Sequence, residues 1–200
     1  MNAQVIVAGH GGQGVLELAN YISYYEFLRG EHVAYTPSYG PESRGGKVKC
    51  YVVISDDPID SPVVENPDRL IVMNIPSMDY VSMLKAGGIL LMNTSLILAP
   101  PDRKDIDIIG VPATDIAEGI TEGGEAVPDR KIAANSVMFG AYLAATGEDL
   151  ETDRMRTVFE YFFAGRKAGF VPFNLKAVEE GYSFVPKTDV VGPVRPALTR

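Results

Sequence analysis

Gln4-Val5-Ile6-Val7-Ala8, running into Gly9-His10-Gly11-Gly12-Gln13-Gly14-Val15, is the stretch that decides the fold. The first five residues are rich in β-branched side chains and free of charge, which predicts a strand buried on both faces. The next six match G-x-G-x-x-G, and glycine tolerates the positive φ and close backbone approach of a tight strand-to-helix turn. Beyond the turn, Val15, Leu18, Ala19 and Ile22 fall at i, i+3, i+4 and i+7, one face of a helix. Arg29-Gly30 ends that helix, with glycine in the left-handed position after the last turn, and residues 32–36 read as a second strand. Strand, helix and strand in this order predict a βαβ unit with a right-handed parallel crossover.

Working outward, further strands are expected at 47–54, 70–73, 88–93 and 106–111, with a turn-rich interval carrying Pro58, Pro62 and Pro67. A short helix is expected at 76–85, with Pro76 in its first turn. Thr114-Asp115 can cap another that stops at Gly123-Gly124. Helices are also expected at 130–146, which is apolar almost all round, at 152–164, and from a capping Asn174 to Gly181. The pattern predicts one α/β domain at 1–182, a three-layer α/β/α, Rossmann-like architecture with a central, mostly parallel sheet and helices on both faces. Residues 183–200 hold three prolines and no periodicity, and are expected to form an extended tail. A chain of 200 residues is long enough to bury a substantial core.

The formal net charge of −8 argues against a protein that binds nucleic acid or an anionic membrane by charge. Cys50 is the single cysteine, so no intrachain disulfide, cysteine-ligated iron–sulfur cluster or structural zinc site can be built, and His10 and His32 do not make up the difference. Redox chemistry on this chain would need a borrowed cofactor. The first residues show no signal-peptide pattern, and the apolar stretch 88–101 is too short to span a bilayer. A cytoplasmic location is expected.

Gly9, Gly11, Gly12, Gln13 and Gly14 form either a phosphate or carboxylate site at a helix N-terminus, or a tight packing turn. A NAD or FAD site would also require an acid at the end of the second strand, where Thr36-Pro37 stands, while Glu31 lies at the other end. The Lys and Ser/Thr of an ATP-binding P-loop are missing as well. A second loop, Tyr39-Gly40-Pro41-Glu42-Ser43-Arg44-Gly45-Gly46, sits at the carboxyl end of the second strand, the side where open α/β sheets bind ligands. Arg44, set between Ser43 and Gly45-Gly46, suits bidentate bonding to a carboxylate or phosphate. The same loop can instead be a rigid interface, with Arg44 paired to Glu42 or to a neighbour's carboxylate. No acidic partner marks His10 as a general base. Cys50 lies within a strand pattern, as a structural thiol does. Tyr21, Tyr24 and Tyr25 share a side of the first helix, facing either the core or a partner. No catalytic residue and no metal ligand is predicted.

The two loops together resemble the gamma-type component of 2-oxoacid:ferredoxin (acceptor) oxidoreductases, the pyruvate/ketoisovalerate oxidoreductase gamma domain. Val53-Ile54-Ser55-Asp56 with Pro58-Ile59 and Ser61-Pro62 also resembles the family, as do Asn135 with Met138 and Gly140, and Asn174 with Ala177 and Gly181. The resemblance runs from about Val5 to Gly181. It implies a subunit, inactive alone, of a complex of the EC 1.2.7 type that oxidatively decarboxylates a 2-oxoacid. It further implies alpha, beta and in some cases ferredoxin-like delta partners, which hold thiamine diphosphate and iron–sulfur clusters. Coenzyme A would be the acyl acceptor and ferredoxin the electron acceptor. Among the possible substrates 2-oxoglutarate is favoured over pyruvate, branched-chain oxoacids and indolepyruvate. On this reading the Gly11–Gly14 amides and Arg44 hold an anionic group of coenzyme A or of the 2-oxoacid. A free-standing nucleotide- or CoA-binding regulatory module is the alternative.

Overall fold

A computed structural model describes residues 2–39, 46–121 and 129–185. Six strands form one sheet: β1 (Ala3–His10), β2 (His32–Tyr39), β3 (Lys47–Ser55), β4 (Arg69–Val72), β5 (Ile89–Asn93) and β6 (Asp107–Val111), in the spatial order β2-β3-β1-β4-β5-β6. β1, β4, β5 and β6 pair in parallel, and β3 runs antiparallel to both β1 and β2. The mostly parallel α/β architecture is therefore as expected.

The βαβ unit keeps its parallel sense, with one strand inserted. β2 points the same way as β1, but β3 lies between them. The reason is connection length. Only residues 40–46 separate β2 from β3, too few for the dozen or so that a parallel crossover needs, so β3 turns back antiparallel. β2 thereby becomes an edge strand, which explains how Pro37 fits inside a ladder: an edge strand spares one row of N–H groups. β2 also continues past Thr36-Pro37 to Tyr39.

Alternation along the strands sorts the core into two faces. Val5, Val7, Cys50, Val52, Ile71, Leu91 and Val111 face one side. Ile6, Ala8, Leu70, Val72, Leu90, Met92 and Ile108 face the other. Val5 through Ala8 are all fully buried, which fits a central strand covered on both sides, and each such aliphatic side chain contributes about 1.5–3 kcal/mol. The two covers are unequal. The first face carries α1 (Val15–Leu28), α2 (Ala113–Gly119), α3 (Ala134–Ala145), α4 (Thr152–Phe162) and α5 (Val171–Phe184). The second is covered by a run of 3-10 turns, Ile75–Met83, where an α-helix was expected, together with Val64, Leu84 and Ile97.

α1 buries Val15, Leu18, Ala19 and Ile22 as its periodicity predicts, together with Tyr21 and Tyr25. Tyr21 stands edge-on to Phe159 at 5.1 Å and Tyr25 edge-on to Phe139 at 5.8 Å. Tyr24 instead points outward, stacked on Tyr161 at 4.6 Å. α3 and α5 cross closely enough that a Cβ on Gly140 would overlap the Val178 carbonyl, and one on Gly181 the Val137 carbonyl.

Two expected caps are corrected. α2 starts after Pro112 with no side-chain cap; Thr114 instead accepts from Asn93 Nδ2 at 3.1 Å, and the Asp115 N–H donates to Ser95 Oγ. α2 ends at Gly119, and Gly123-Gly124 lie outside the described residues. Asn174 lies within α5, one turn past its start, with its Nδ2 donating to the Phe170 carbonyl at 2.8 Å. The helix expected at 130–146 is a 3-10 turn, Arg130–Ala133, leading into α3. α5 continues through Phe184, so the expected tail begins later than 183; residues 186–200 are outside the described set.

Candidate functional site

β1 delivers the glycine loop to the carboxyl edge of the parallel strands, and each of its residues has a distinct role. Gly9 still belongs to β1, and a Cβ there would come within 2.6 Å of Val15 Cγ2 and 3.1 Å of Met73 Cβ; its bareness lets strand and helix touch. Gly12 has φ +98° with open space beside it. Gly14 caps α1 at φ 69°, ψ 28°, the left-handed region that favours glycine, and a Cβ there would collide with the Asn135 amide. Among the described residues no side chain caps α1, which leaves the N–H groups of its first turn facing the loop.

Gln13 turns inward. Its Oε1 accepts from the His10 N–H at 3.0 Å and from Asn74 Nδ2 at 2.9 Å, while its Nε2 donates to the Met73 carbonyl at 3.3 Å. Asn74 in turn accepts from the Ser77 N–H and hydroxyl. Gln13 thus ties the loop to the end of β4 and does not line the cleft described below. The structure therefore separates the predicted set: Gly9 and Gln13 hold the loop in shape, whereas Gly11, Gly12 and Gly14 line the cleft.

Among the described residues the second loop meets the first through the Gly11 N–H, which donates to the Gly46 carbonyl at 3.2 Å. Adjacency of β1 and β3 makes this meeting unavoidable, since β3 begins beside the point where β1 ends: His10 pairs with Lys47. Tyr39 ends β2. Ser43, Arg44 and Gly45 lie outside the described residues.

Beside the glycine loop opens a cleft of about 380 Å³, bounded by Gly11, Gly12, Gly14 and the first turns of α1. Its inner surface is aromatic, and apart from Tyr21 its aromatic side chains are ones that the sequence did not single out. Tyr21 and Phe173 are fully buried in it, Phe163 and Phe170 are half-buried, and Ile132 stands half-exposed at its edge. The signal was present as Phe162-Phe163 followed by Phe170 and Phe173, but a helix pattern accounts for such residues equally well.

Two buried carboxamides complete the wall. Asn135 Oδ1 accepts from the Ser136 N–H at 2.8 Å, and Asn174 Oδ1 accepts from Ser136 Oγ at 2.6 Å. The Tyr21 phenol beside them is held neutral by burial and by the nearby Glu17 carboxylate. His10 and Glu17 line the opening, and His10 Nδ1 lies 3.1 Å from the Gly11 carbonyl. Cys50 is buried, 3.6 Å from the Tyr35 hydroxyl, and burial pushes its thiol up to about 11, so it is inert at neutral pH.

Among the described residues no group of three or more His, Cys, Asp or Glu is placed to hold a metal ion. No described helix is long and apolar enough to cross a membrane.

The family model described as pyruvate ferredoxin/flavodoxin oxidoreductase matches residues 4–184. The chain is 36% identical over 186 residues to the ketoisovalerate oxidoreductase subunit VorA of Methanothermobacter marburgensis, covering 92% of this chain and 37% of that protein. It is 38% identical over 160 residues to the 2-oxoglutarate synthase subunit KorC of the same organism, covering 74% of this chain and 79% of that one. The chain thus spans about a third of the VorA relatives' length. Among solved structures, the gamma subunit of a keto/oxoacid ferredoxin oxidoreductase from Geobacter sulfurreducens superposes with a TM-score of 0.74 at 26% identity, covering 93% of this chain and 99% of that one. A 2-oxoglutarate:ferredoxin oxidoreductase from Magnetococcus marinus, solved with 2-oxoglutarate, coenzyme A and succinyl-CoA bound, gives 0.80 at 18% identity over 98% of this chain and 33% of that one, and shares the fold. With nearly the whole described length matched, the chain belongs to the pyruvate ferredoxin/flavodoxin oxidoreductase family.

Proposed function

We propose that this chain is the gamma component of a cytoplasmic, CoA-dependent 2-oxoacid:ferredoxin oxidoreductase. The complex converts a 2-oxoacid, coenzyme A and oxidised ferredoxin to acyl-CoA, carbon dioxide and reduced ferredoxin. Family membership supports the reaction class. The observation that carries this chain's share of it is the junction of the two loops, Gly11 to Gly46, beside a cleft at the carboxyl edge of the parallel strands.

Thiamine diphosphate supplies the carbanion chemistry and iron–sulfur clusters the electron path, and both belong to alpha, beta or delta components. The residues of this chain do not fit a cysteine-ligated cluster: it has one cysteine, buried in β3. Its part is to bind, orient and exclude water. The Gly11 N–H is taken by the Gly46 carbonyl, so the amides of Gly12 and of the first turn of α1 attract an anionic group of coenzyme A or the 2-oxoacid carboxylate. Arg44, in the sequence from Tyr39 through Ser43 and Gly45 to Gly46, supplies the complementary positive charge.

We place 2-oxoglutarate first among the substrates, because the 2-oxoglutarate synthase subunit is 38% identical and is matched over 79% of its length. Initial rates with 2-oxoglutarate, pyruvate, 2-oxoisovalerate and indolepyruvate decide the order. Affinity purification of the native protein should bring down chains carrying thiamine diphosphate and iron–sulfur clusters; its purification without such partners would instead favour a free-standing CoA-binding module. In the intact complex, Arg44→Ala should raise KM for coenzyme A or for the 2-oxoacid at least tenfold. Unchanged kinetics would remove the ligand role of Arg44, and dissociation of the complex would make the loop an interface.

A further inference from the structure

Away from the cleft, three aliphatic side chains stand in water where the sheet ends. Among the described residues, Ile75, Leu96 and Leu98 are exposed at 62%, 42% and 90%. They share one rim. β4 and β5 are neighbouring parallel strands in register, with Val72 opposite Met92, and such strands lie about 4.8 Å apart. Ile75 comes three residues after the end of β4, and Leu96 three after the end of β5. The two turns therefore stand side by side at the carboxyl edge.

The turns are also built alike. Met73-Asn74 and Met92-Asn93 each place a buried asparagine where the strand ends. Asn74 Oδ1 accepts from the Ser77 N–H at 3.0 Å and from the Ser77 hydroxyl at 2.7 Å. Asn93 Oδ1 accepts from the Ser95 N–H at 3.3 Å and from the Ala113 N–H at 3.1 Å. Ile97, almost fully buried in the second face of the core, pins the backbone between Leu96 and Leu98. Scattered exposed leucines need no explanation, but a row of them marks a contact surface. A backbone anchored in this way has little freedom left to lose on association.

Two observations indicate the occupant. Asn74 Nδ2 donates to Gln13 Oε1 at 2.9 Å, so the rim is continuous with the side on which both loops lie. In the ketoisovalerate oxidoreductase subunit and the Magnetococcus marinus chain, the matched region is only 37% and 33% of the length, so there it is covalently joined to a larger polypeptide. The exposed aromatic face further along α1 is a poorer candidate, because Tyr24 stacks on both Phe27 and Tyr161. Resting on the reading of this chain as a component of a 2-oxoacid:ferredoxin oxidoreductase, we propose that the rim of Ile75, Leu96 and Leu98 docks an apolar surface of a partner polypeptide. That partner corresponds to the unmatched part of the longer relatives.

The test uses the native complex. Ile75→Asp and Leu98→Asp should each raise the concentration at which it half-dissociates, read by mass photometry, at least tenfold. Phe27→Ser, at the end of α1 away from the glycine loop, should leave that concentration in place. All three positions are exposed, so each variant chain alone should melt within about 2 °C of wild type. A photo-reactive amino acid in place of Leu98 should cross-link to a chain that mass spectrometry relates to the unmatched part of VorA; the same group in place of Phe27 should not. Unaltered dissociation in both aspartate variants, or equal weakening by Phe27→Ser, would overturn the assignment. So would a cross-link from position 98 to a second copy of this chain, to an unrelated chain or to nothing. A complex that oxidises a 2-oxoacid yet cross-links only from position 27 would remove the rim and keep the function. A cross-link from position 98 to the expected partner, in a complex that oxidises no 2-oxoacid, would do the reverse.

Discussion

Gly14→Ala tests the geometry of the site directly. Two separate costs follow from the structure. The first is backbone: Gly14 holds φ 69°, and an L-residue in the left-handed region costs about 1–2 kcal/mol. The second is packing. The new Cβ overlaps the Asn135 amide, whose Oδ1 is held by the Ser136 N–H at 2.8 Å in a nearly fully buried setting. Displacing that amide leaves buried polar groups without partners, which costs about 1–3 kcal/mol. The sum is about 2–5 kcal/mol, large against the 5–15 kcal/mol by which domains are stable. Urea denaturation of wild type, Gly14→Ala, Asn135→Ala and the double variant separates the two. Asn135→Ala removes the colliding amide and leaves Cβ at 3.1 Å, so in that background Gly14→Ala should cost little more than the backbone strain. A coupling of about 1–3 kcal/mol is expected. If Gly14→Ala costs the same in both backgrounds, the packing of α3 against the loop has been misjudged.

Other substitutions probe other parts of the molecule. Glu26 is fully buried with its Oε1 unpartnered among the described residues, while Arg29 bonds the other oxygen at 3.1 Å. Burial, the dominant influence, raises its pKa. An acid whose folded-state pKa exceeds its unfolded value holds its proton more tightly when folded, so stability is greatest below the unfolded value and falls as pH rises through the folded one. Glu26→Gln should flatten that fall; urea midpoints from pH 4 to 8 that stay parallel for variant and wild type would refute it. Gly140→Ala places a methyl group on the Val178 carbonyl and should cost about 3 kcal/mol, lowering Tm by roughly 6–12 °C; a melt within 2 °C of wild type would show that α3 and α5 separate more readily than drawn. Cys50, with its thiol near 11, should react with an aromatic disulfide reagent only at the rate of opening, so labelling that tracks thiolate concentration in the native state would contradict its burial.

The strands and the first helix were legible because burial imposes a period, and the period is written in Val5 to Ala8 and in Val15, Leu18, Ala19 and Ile22. Strand direction was not, although the short 40–46 connection carried the information and a count of residues would have recovered it. The glycine loop was legible as a turn. The division of labour within it was not, since Gln13 owes its inward pose to Asn74 and the Met73 carbonyl, sixty residues on. The aromatic wall was hidden for a related reason: Phe170 and Phe173 read as helix or core, and only tertiary packing turns them towards Gly14.

The bond from Gly11 to Gly46 bears on how this protein can change over evolutionary time. Two motifs that lie some thirty positions apart in the chain share one rim, because neighbouring antiparallel strands end and begin there. A length change in either loop shifts the foothold of the other. A chimaera that exchanges one loop with a relative should therefore recover function only when the second travels with it.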